Sequence, residues 1–374
     1  RLIMSPIQQM FLGTLSGGGG GPLLLESSDS SRYGDTTTVQ NTWWGNQSYD
    51  SSVITNIGQQ SYQGFYAFTV GAACNLTATL KGAAGWSNSR GRSITSTFSL
   101  SVNDRIVFFA GKPTLKALTD QQMGGGGGAS CLMKYSTSLS GDANYENGFV
   151  PLIIAAGGSA AGNNPSTKDA GRYRTIEAVA LNITTNNTHS NLVTWRKAAG
   201  NSGSVSSPGN QSDFDGGWGR GGTHTGGAGW KYPAVNYNNG QICSGKNSSG
   251  GNAGTEVGIA YGAVGMARQS SQNGADGGFG GGGADSTSNY YAPGGGGYFG
   301  GFENSGGSHS DSYYYTYGGD VNGGNAFDDR GGPLSFVHSS GSNTTDNGYN
   351  GSTSSWNEQN NANQIKGSVE LVFS

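Results

Sequence analysis

Glycines in this chain fall into short runs interleaved with aromatic residues, and that pattern limits the possible folds more than any other feature. The runs lie at 17–21, 124–128, 280–283 and 294–297, within a total of 70 glycines in 374 residues. Glycine loses more backbone entropy on folding than any other residue, so an ordered run is justified only where a Cβ has no room. The runs keep no triplet period, which excludes a collagen triple helix. Flexible linkers are rich in glycine but poor in large rings. Here Trp218 and Trp230 sit in one glycine-rich stretch, and Phe279, Tyr290, Tyr291, Tyr298 and Phe299 in another. Polyglycine II helices reconcile the two compositions. They have three residues per turn and no internal hydrogen bonds, and bare backbones can approach and bond to their neighbours. The pattern predicts a bundle of such helices with rings on its outer faces.

Charge and length narrow the class further. Charged residues make up 11% and the formal net charge is −3. Disordered chains are usually rich in charge and poor in aromatics, whereas aromatics reach 10% here. Near-neutral charge without a basic run argues against a nucleic-acid partner. The longest apolar run, 149–156, is far short of the roughly 18 residues of a membrane helix, so no membrane span is expected. The chain opens on Arg1 rather than methionine, which we read as a processed or trimmed chain from which any signal peptide is already gone; the expected location is extracellular or at the cell surface. The cysteines are Cys74, Cys131 and Cys243, with no CxxC spacing. One disulfide or three buried thiols are both compatible, and Cys131–Cys243 is the expected pair if one forms.

Strand signals flank the glycine runs. Residues 94–102 alternate apolar and polar, the period of a half-buried strand. Asn103-Asp104 is a turn signal, and 105–110 is expected to return as the hairpin partner. Segments 65–70 and 76–80 form a second expected pair, with Leu76, Ala78 and Leu80 on one face. A short apolar strand at 149–156 runs into Gly157-Gly158. At the far end Val369, Leu371 and Phe373 alternate with Ser368, Glu370 and Val372, so the C-terminus is expected to complete a sheet begun near residue 65. One helix is expected at 255–269, where Thr255 is a fair N-cap and Val257, Ala260, Tyr261, Val264 and Ala267 recur at helical spacing. Its three glycines weaken it by about 1 kcal/mol each. The reading is an all-β antiparallel chain with little α-helix, divided into an N-terminal segment, 1–56, and a glycine-rich module, 57–374.

No motif points to catalysis, a cofactor or a metal. Gly217-Trp218-Gly219-Arg220-Gly221-Gly222 fits GxGxxG, but without the preceding strand and following helix that a dinucleotide site requires. His189, His224, His309 and His338 have no paired spacing for zinc. Asp213-Phe214-Asp215-Gly216 lacks the later glutamate of an EF-hand. No serine or cysteine sits in a nucleophile elbow. N-glycosylation sequons occur at Asn46, Asn75, Asn182, Asn186, Asn210, Asn247, Asn343 and Asn350. Their number is near that expected by chance in so asparagine-rich a chain; the better argument is the placement of Asn182, Asn186, Asn210, Asn343 and Asn350 in polar, loop-like stretches, whereas Asn75 opens a strand.

Several blocks resemble the glycine-rich extracellular module of the anaplastic lymphoma kinase and leukocyte tyrosine kinase receptors. They are Leu80-Lys81-Gly82-Ala83-Ala84-Gly85, Thr97-Phe98-Ser99-Leu100 with the following Asp104, and the glycines at 124–128 before Ala129-Ser130. Val150-Pro151-Leu152-Ile153-Ile154-Ala155-Ala156-Gly157-Gly158 is the most specific. The glycine repeats at 277–283 and 294–301, and Leu334-Ser335-Phe336 and Gly367-Ser368-Val369-Glu370, follow in the same order. The resemblance runs from about residue 64 to the C-terminus and implies a TNF-like, jelly-roll β-sandwich with an inserted polyglycine II bundle. The chain departs from the family in carrying no kinase, membrane span or cysteine-rich tail, and Leu15 stands where an early cysteine is usual. The receptors' ligand contacts therefore transfer to no position here.

These readings favour a secreted, non-enzymatic structural or adhesive glycoprotein, a subunit of a filament or coat that forms a homo-oligomer. Two alternatives stay open: a receptor-type ectodomain for a protein ligand, and a carbohydrate-binding tip adhesin displaying Trp43, Trp44 and Tyr313–Tyr315 to a glycan. The apolar N-terminus (Leu2, Ile3, Met4, Ile7, Met10, Phe11, Leu12, Leu15) is either a first strand of the chain's own sandwich or a donor strand for the next subunit.

Overall fold

A computed structural model describes residues 20–59, 64–85, 90–114, 125–135, 149–158, 227–230, 259, 263, 265, 276–284, 294–297, 333, 335–351 and 365–374, and the backbone of a few short strands between them. In chain order the elements are β1 (Leu23–Glu26), α1 (Thr37–Gly45), β2 (Ile54–Gln59), β3 (Tyr66–Val70), β4 (Cys74–Lys81), β5 (Arg92–Leu100), β6 (Arg105–Phe109), β7 (Ser130–Tyr135) and β8 (Phe149–Ala155). The short strands β9 (Arg220–Gly221), β10 (Ala234–Asn236), β11 (Ile242–Cys243), β12 (Tyr291–Ala292) and β13 (Asn304–Ser305) follow, then β14 (Phe336–Val337), β15 (Ser342–Tyr349) and β16 (Ser368–Phe373).

Two antiparallel sheets make an all-β sandwich. One has five strands in the order β1-β16-β4-β5-β15, the other six in the order β14-β8-β7-β6-β3-β2. The sheets differ in how their faces are used, and their sequences differ accordingly. In the first, β4 alternates strictly: Leu76, Ala78 and Leu80 point into the core while Thr77 and Thr79 face outward. Outward-facing threonines pair across β4 and β5, Thr77 with Thr97 and Thr79 with Thr95, each at 2.9 Å. In the second sheet β8 is buried at every position and β6 at all but its first. A continuous apolar run suits a strand covered on both faces. One face of this sheet presents Tyr66, Phe68, Ile106, Phe108 and Leu132 to the first sheet. The other presents Phe65, Val107, Phe109, Cys131 and Met133 to Trp230, Ile259 and Phe279, which come from the glycine-rich half of the chain.

Strand pairing corrects the two expected hairpins. The segments do form strands, but β5 pairs with β4 and β15, and β6 with β3 and β7. The turn at Asn103, which takes a positive φ of 71°, carries the chain from one sheet to the other. The link from β3 to β4 likewise crosses the sandwich. Alternation identifies a strand's buried face but not which sheet that face belongs to. The C-terminal strand β16 fills an interior position between β1 and β4, in register from Ser368↔Lys81 to Phe373↔Leu76. A division at residue 56 would fall inside β2, and β1 and Trp44 both contribute to the sandwich core.

Helix α1 has no counterpart in the sequence-based expectations. Thr36 caps it by accepting from the Val39 amide, and Gln40 and Trp44, one turn apart, form its buried face. Trp44 is 5% exposed and Trp43 donates its indole N–H to the Leu24 carbonyl. Most of the helix expected at 255–269 lies outside the described residues. At Ala263 the φ of 51° is incompatible with a right-handed helix through that residue.

Candidate functional site: a glycine assembly at the end of the sandwich

Strands β4, β6, β7 and β8 all run into or out of glycine-containing segments: 82–85, 111–114, 125–129 and 156–158. These continue beyond the sheet and pack with 227–229, 277–284 and 294–297. The central segment shows the geometry best. The amide of Gly126 donates to Gly283 O, that of Gly127 to Gly158 O, that of Gly128 to Lys112 O, and that of Ala129 to Gly280 O. Three successive residues thus bond to three different segments, and the fourth returns to the first. Carbonyls follow the same course: Gly126 O accepts from Gly278, Gly127 O from Gly296 and Gly128 O from Ala83. A β-strand bonds only sideways to two neighbours. Here the bonds radiate around the segment axis.

Only glycine allows backbones to lie so close. A Cβ at Gly126, Gly128, Gly157, Gly278 or Gly296 would sit closer than 3.0 Å to a backbone carbonyl of an adjacent segment. Of the rings expected to cap outer faces, the two that are described, Trp230 and Phe279, are in the interior instead; Trp218, Tyr290, Tyr298, Phe299 and the side chain of Tyr291 lie outside the described residues. Phe279 is 1% exposed and meets Phe109 and Phe65 edge-on, at 5.2 and 6.4 Å between centroids. These aromatics fasten the assembly to the outer face of the six-stranded sheet.

The segment between β1 and α1 closes over the assembly. Ser31 O accepts from the Phe279 amide and Arg32 O from that of Gly265. Beside them lies a polar group of five side chains, of which Lys112, Asp35 and Tyr66 are buried and Ser28 and Asp29 exposed. Lys112 Nζ is 2.8 Å from Asp35 Oδ1 and 2.5 Å from Asp29 Oδ1. The Tyr66 hydroxyl donates to Asp35 Oδ2 at 2.9 Å, and Ser28 Oγ to Asp35 Oδ1. Burial, and next the adjacent Asp35 charge, push the Tyr66 phenol well above its ordinary range, which keeps it a donor. A charge pattern in sequence could not have pointed to this group, because its members are spread over residues 28–112.

The sequence-predicted sites fare unevenly. Asn46, Asn75 and Asn343 are exposed. Asn350 is 8% exposed, and its Nδ2, the atom that would carry a glycan, donates to Gly82 O and Lys366 O at 2.9 and 2.8 Å. It serves as a bracket between segments. Asn182, Asn186, Asn210 and Asn247 lie outside the described residues. Cys131, expected to bridge to Cys243, is a free thiol sealed in β7, and burial pushes its pKa up; the side chain of Cys243 lies outside the described residues. Cys74 is also free, its thiol raised by partial burial and by Asp104. Among the described residues no group of His, Cys, Asp and Glu could hold a metal, and no helix is long and apolar enough to cross a membrane. Compared with protein-family models and with curated proteins, the sequence matches none.

Proposed function

We propose that the chain is a non-enzymatic structural or adhesive glycoprotein of the extracellular space, assembling as the subunit of a filament or coat. The observation that carries this reading is the radial hydrogen bonding of residues 126–129 to their neighbouring segments. A return to the same neighbouring segment after three residues is what polyglycine II packing would give, and it supports that reading. Such an assembly has almost no side chains at its centre with which to do chemistry, whereas its dense backbone bonding resists deformation. The family resemblance in the same blocks supports an extracellular setting.

The route to assembly is the N-terminus. Three sheet edges are unsuited to accepting another strand. β15 is bulged twice with positive φ at Asn343 and Gly348, β2 is bulged at Asn56, and β14 has 2 residues. Bulges and short strands are the usual means of blunting an edge. β1 is a regular edge, and the apolar residues at 2–15 precede it in sequence across the glycine run 17–21. The carbohydrate-binding reading loses its support at Trp43 and Trp44, which pack on the sandwich core. Electron-microscope imaging of the purified protein tests the proposal. Filaments or sheets are expected, and deleting residues 1–10 is expected to leave a folded monomer that no longer assembles. Dispersed full-length monomers that capture a glycan or a soluble protein would overturn it.

A further inference from the structure

The group around Lys112 is more than an ion pair. The Lys112 side chain is 4% exposed and that of Asp35 8%, while Asp29, which contacts the same nitrogen, is 58% exposed. The wall behind them is aromatic: Tyr66 is 1% exposed and Trp43 meets it edge-on at 5.1 Å. Lys112 is also fixed at its backbone, donating to Phe279 O and accepting from Gly128. Asp35 is held through both oxygens, by Tyr66 and Ser28. An amine and a carboxyl are thus immobilised within hydrogen-bonding distance where little water reaches them.

We propose that Lys112 and Asp35 condense to an intramolecular isopeptide bond, with Asp29 as the proton carrier. Within the pair one ammonium proton passes to Asp35 Oδ1, leaving a neutral amine beside a neutral acid. The Nζ lone pair attacks Cγ, the C–N bond forms, and the carbonyl electrons move onto Oδ2, where the Tyr66 hydroxyl stabilises them. Asp29 takes a second proton from the nitrogen and delivers it to Oδ1. The Cγ–Oδ1 bond breaks and Oδ1 leaves as water. The third proton stays on the amide nitrogen, and Oδ2 remains as the amide carbonyl, still accepting from Tyr66. One ammonium and one carboxylate give one amide and one water, Asp29 ends unchanged, and no other reactant is consumed.

Two physical arguments favour the step. Fixing both reactants in place replaces an unfavourable encounter with an effectively unimolecular reaction, worth effective molarities of roughly 10⁵ M or more in well-oriented cases. A neutral amide also removes the desolvation penalty of a buried ion pair. Asp35 rather than Asp29 is the electrophile because it alone receives the Tyr66 hydroxyl. The exposure of Asp29 suits a group that exchanges protons and lets water leave. The bond would tie the segment covering the glycine assembly to the strand extension beneath it, a link suited to a load-bearing protein.

Peptide mapping of the full-length protein by mass spectrometry tests this. Trypsin cuts at Arg32, between the two aspartates. The expected product is peptide 33–81 joined to peptide 106–116, lighter than their sum by one water. Asp29→Asn is expected to yield these peptides unjoined from a protein that still folds. Separate peptides of full mass from the unaltered protein would overturn the proposal. A link to the peptide that ends at Arg32, or an undiminished link in Asp29→Asn, would overturn the assigned roles.

Discussion

Adding one methyl group at Gly128 should cost far more than a surface substitution. A Cβ there would meet the carbonyl carbon of Phe279 at 2.5 Å and the Cα of Gly280 at 3.0 Å, with the Phe279 oxygen closer still. All are backbone atoms, so no side chain can rotate aside. Relief requires the 125–129 and 277–284 segments to separate. Overpacking of this kind costs about 1–3 kcal/mol. Gly128 also donates to Lys112 O and accepts from Ala83, and disturbing those two bonds adds about 1 kcal/mol each. The total of roughly 3–5 kcal/mol is a large share of the 5–15 kcal/mol that holds a typical domain together. It corresponds to a fall in melting temperature on the order of 10 °C. Gly45→Ala is the control, because a Cβ there meets nothing within 4 Å. Differential scanning calorimetry of Gly128→Ala, Gly45→Ala and the parent protein measures both effects. A Gly128→Ala melt equal to that of the parent would refute the claim that backbone packing sets the stability of this region.

Phe279→Ala removes a ring that is 1% exposed beside Phe65 and Phe109; chemical denaturation should show a loss of about 3–5 kcal/mol. The folded state holds the protons of Tyr66 and Cys131 more tightly than ordinary values of 10.0 and 9.0. A raised folded pKa gives stability that is complete below the unfolded pKa and is lost as pH climbs above it. Melting temperature should therefore fall through the alkaline range, and Tyr66→Phe should make that fall shallower. Glycopeptide mapping of protein from a glycosylating host should find glycan at exposed Asn46, Asn75 or Asn343 and bare asparagine at Asn350.

Much of the sandwich was legible because solvent leaves a period in sequence. Leu76, Ala78 and Leu80 alternate with polar residues since one face of β4 is wet, and the unbroken apolar run of β8 reflects a strand covered on both sides. Sheet membership was not legible. Alternation in β5 and β6 is satisfied equally by a hairpin and by two strands facing each other across a core, and the turn at Asn103 serves either. The glycine runs announced close backbone approach, yet Trp230 and Phe279 gave no sign of pointing inward, because that depends on the sheet face waiting for them. Trp43 and Trp44 looked like display residues only because the helix that buries them has no strong apolar period. Asn350 matched a sequon, but its role as a bracket between Gly82 and Lys366 is a long-range contact that no local pattern encodes.

Amide hydrogen exchange resolved to residues 125–129 and 277–284 tests the structural claim most directly. If these segments form a bonded assembly, their amides should exchange as slowly as those of β6 and β7, since both would open only with the whole domain. Exchange at the rate of a free coil in the glycine segments, with the sandwich strands still protected, would contradict it.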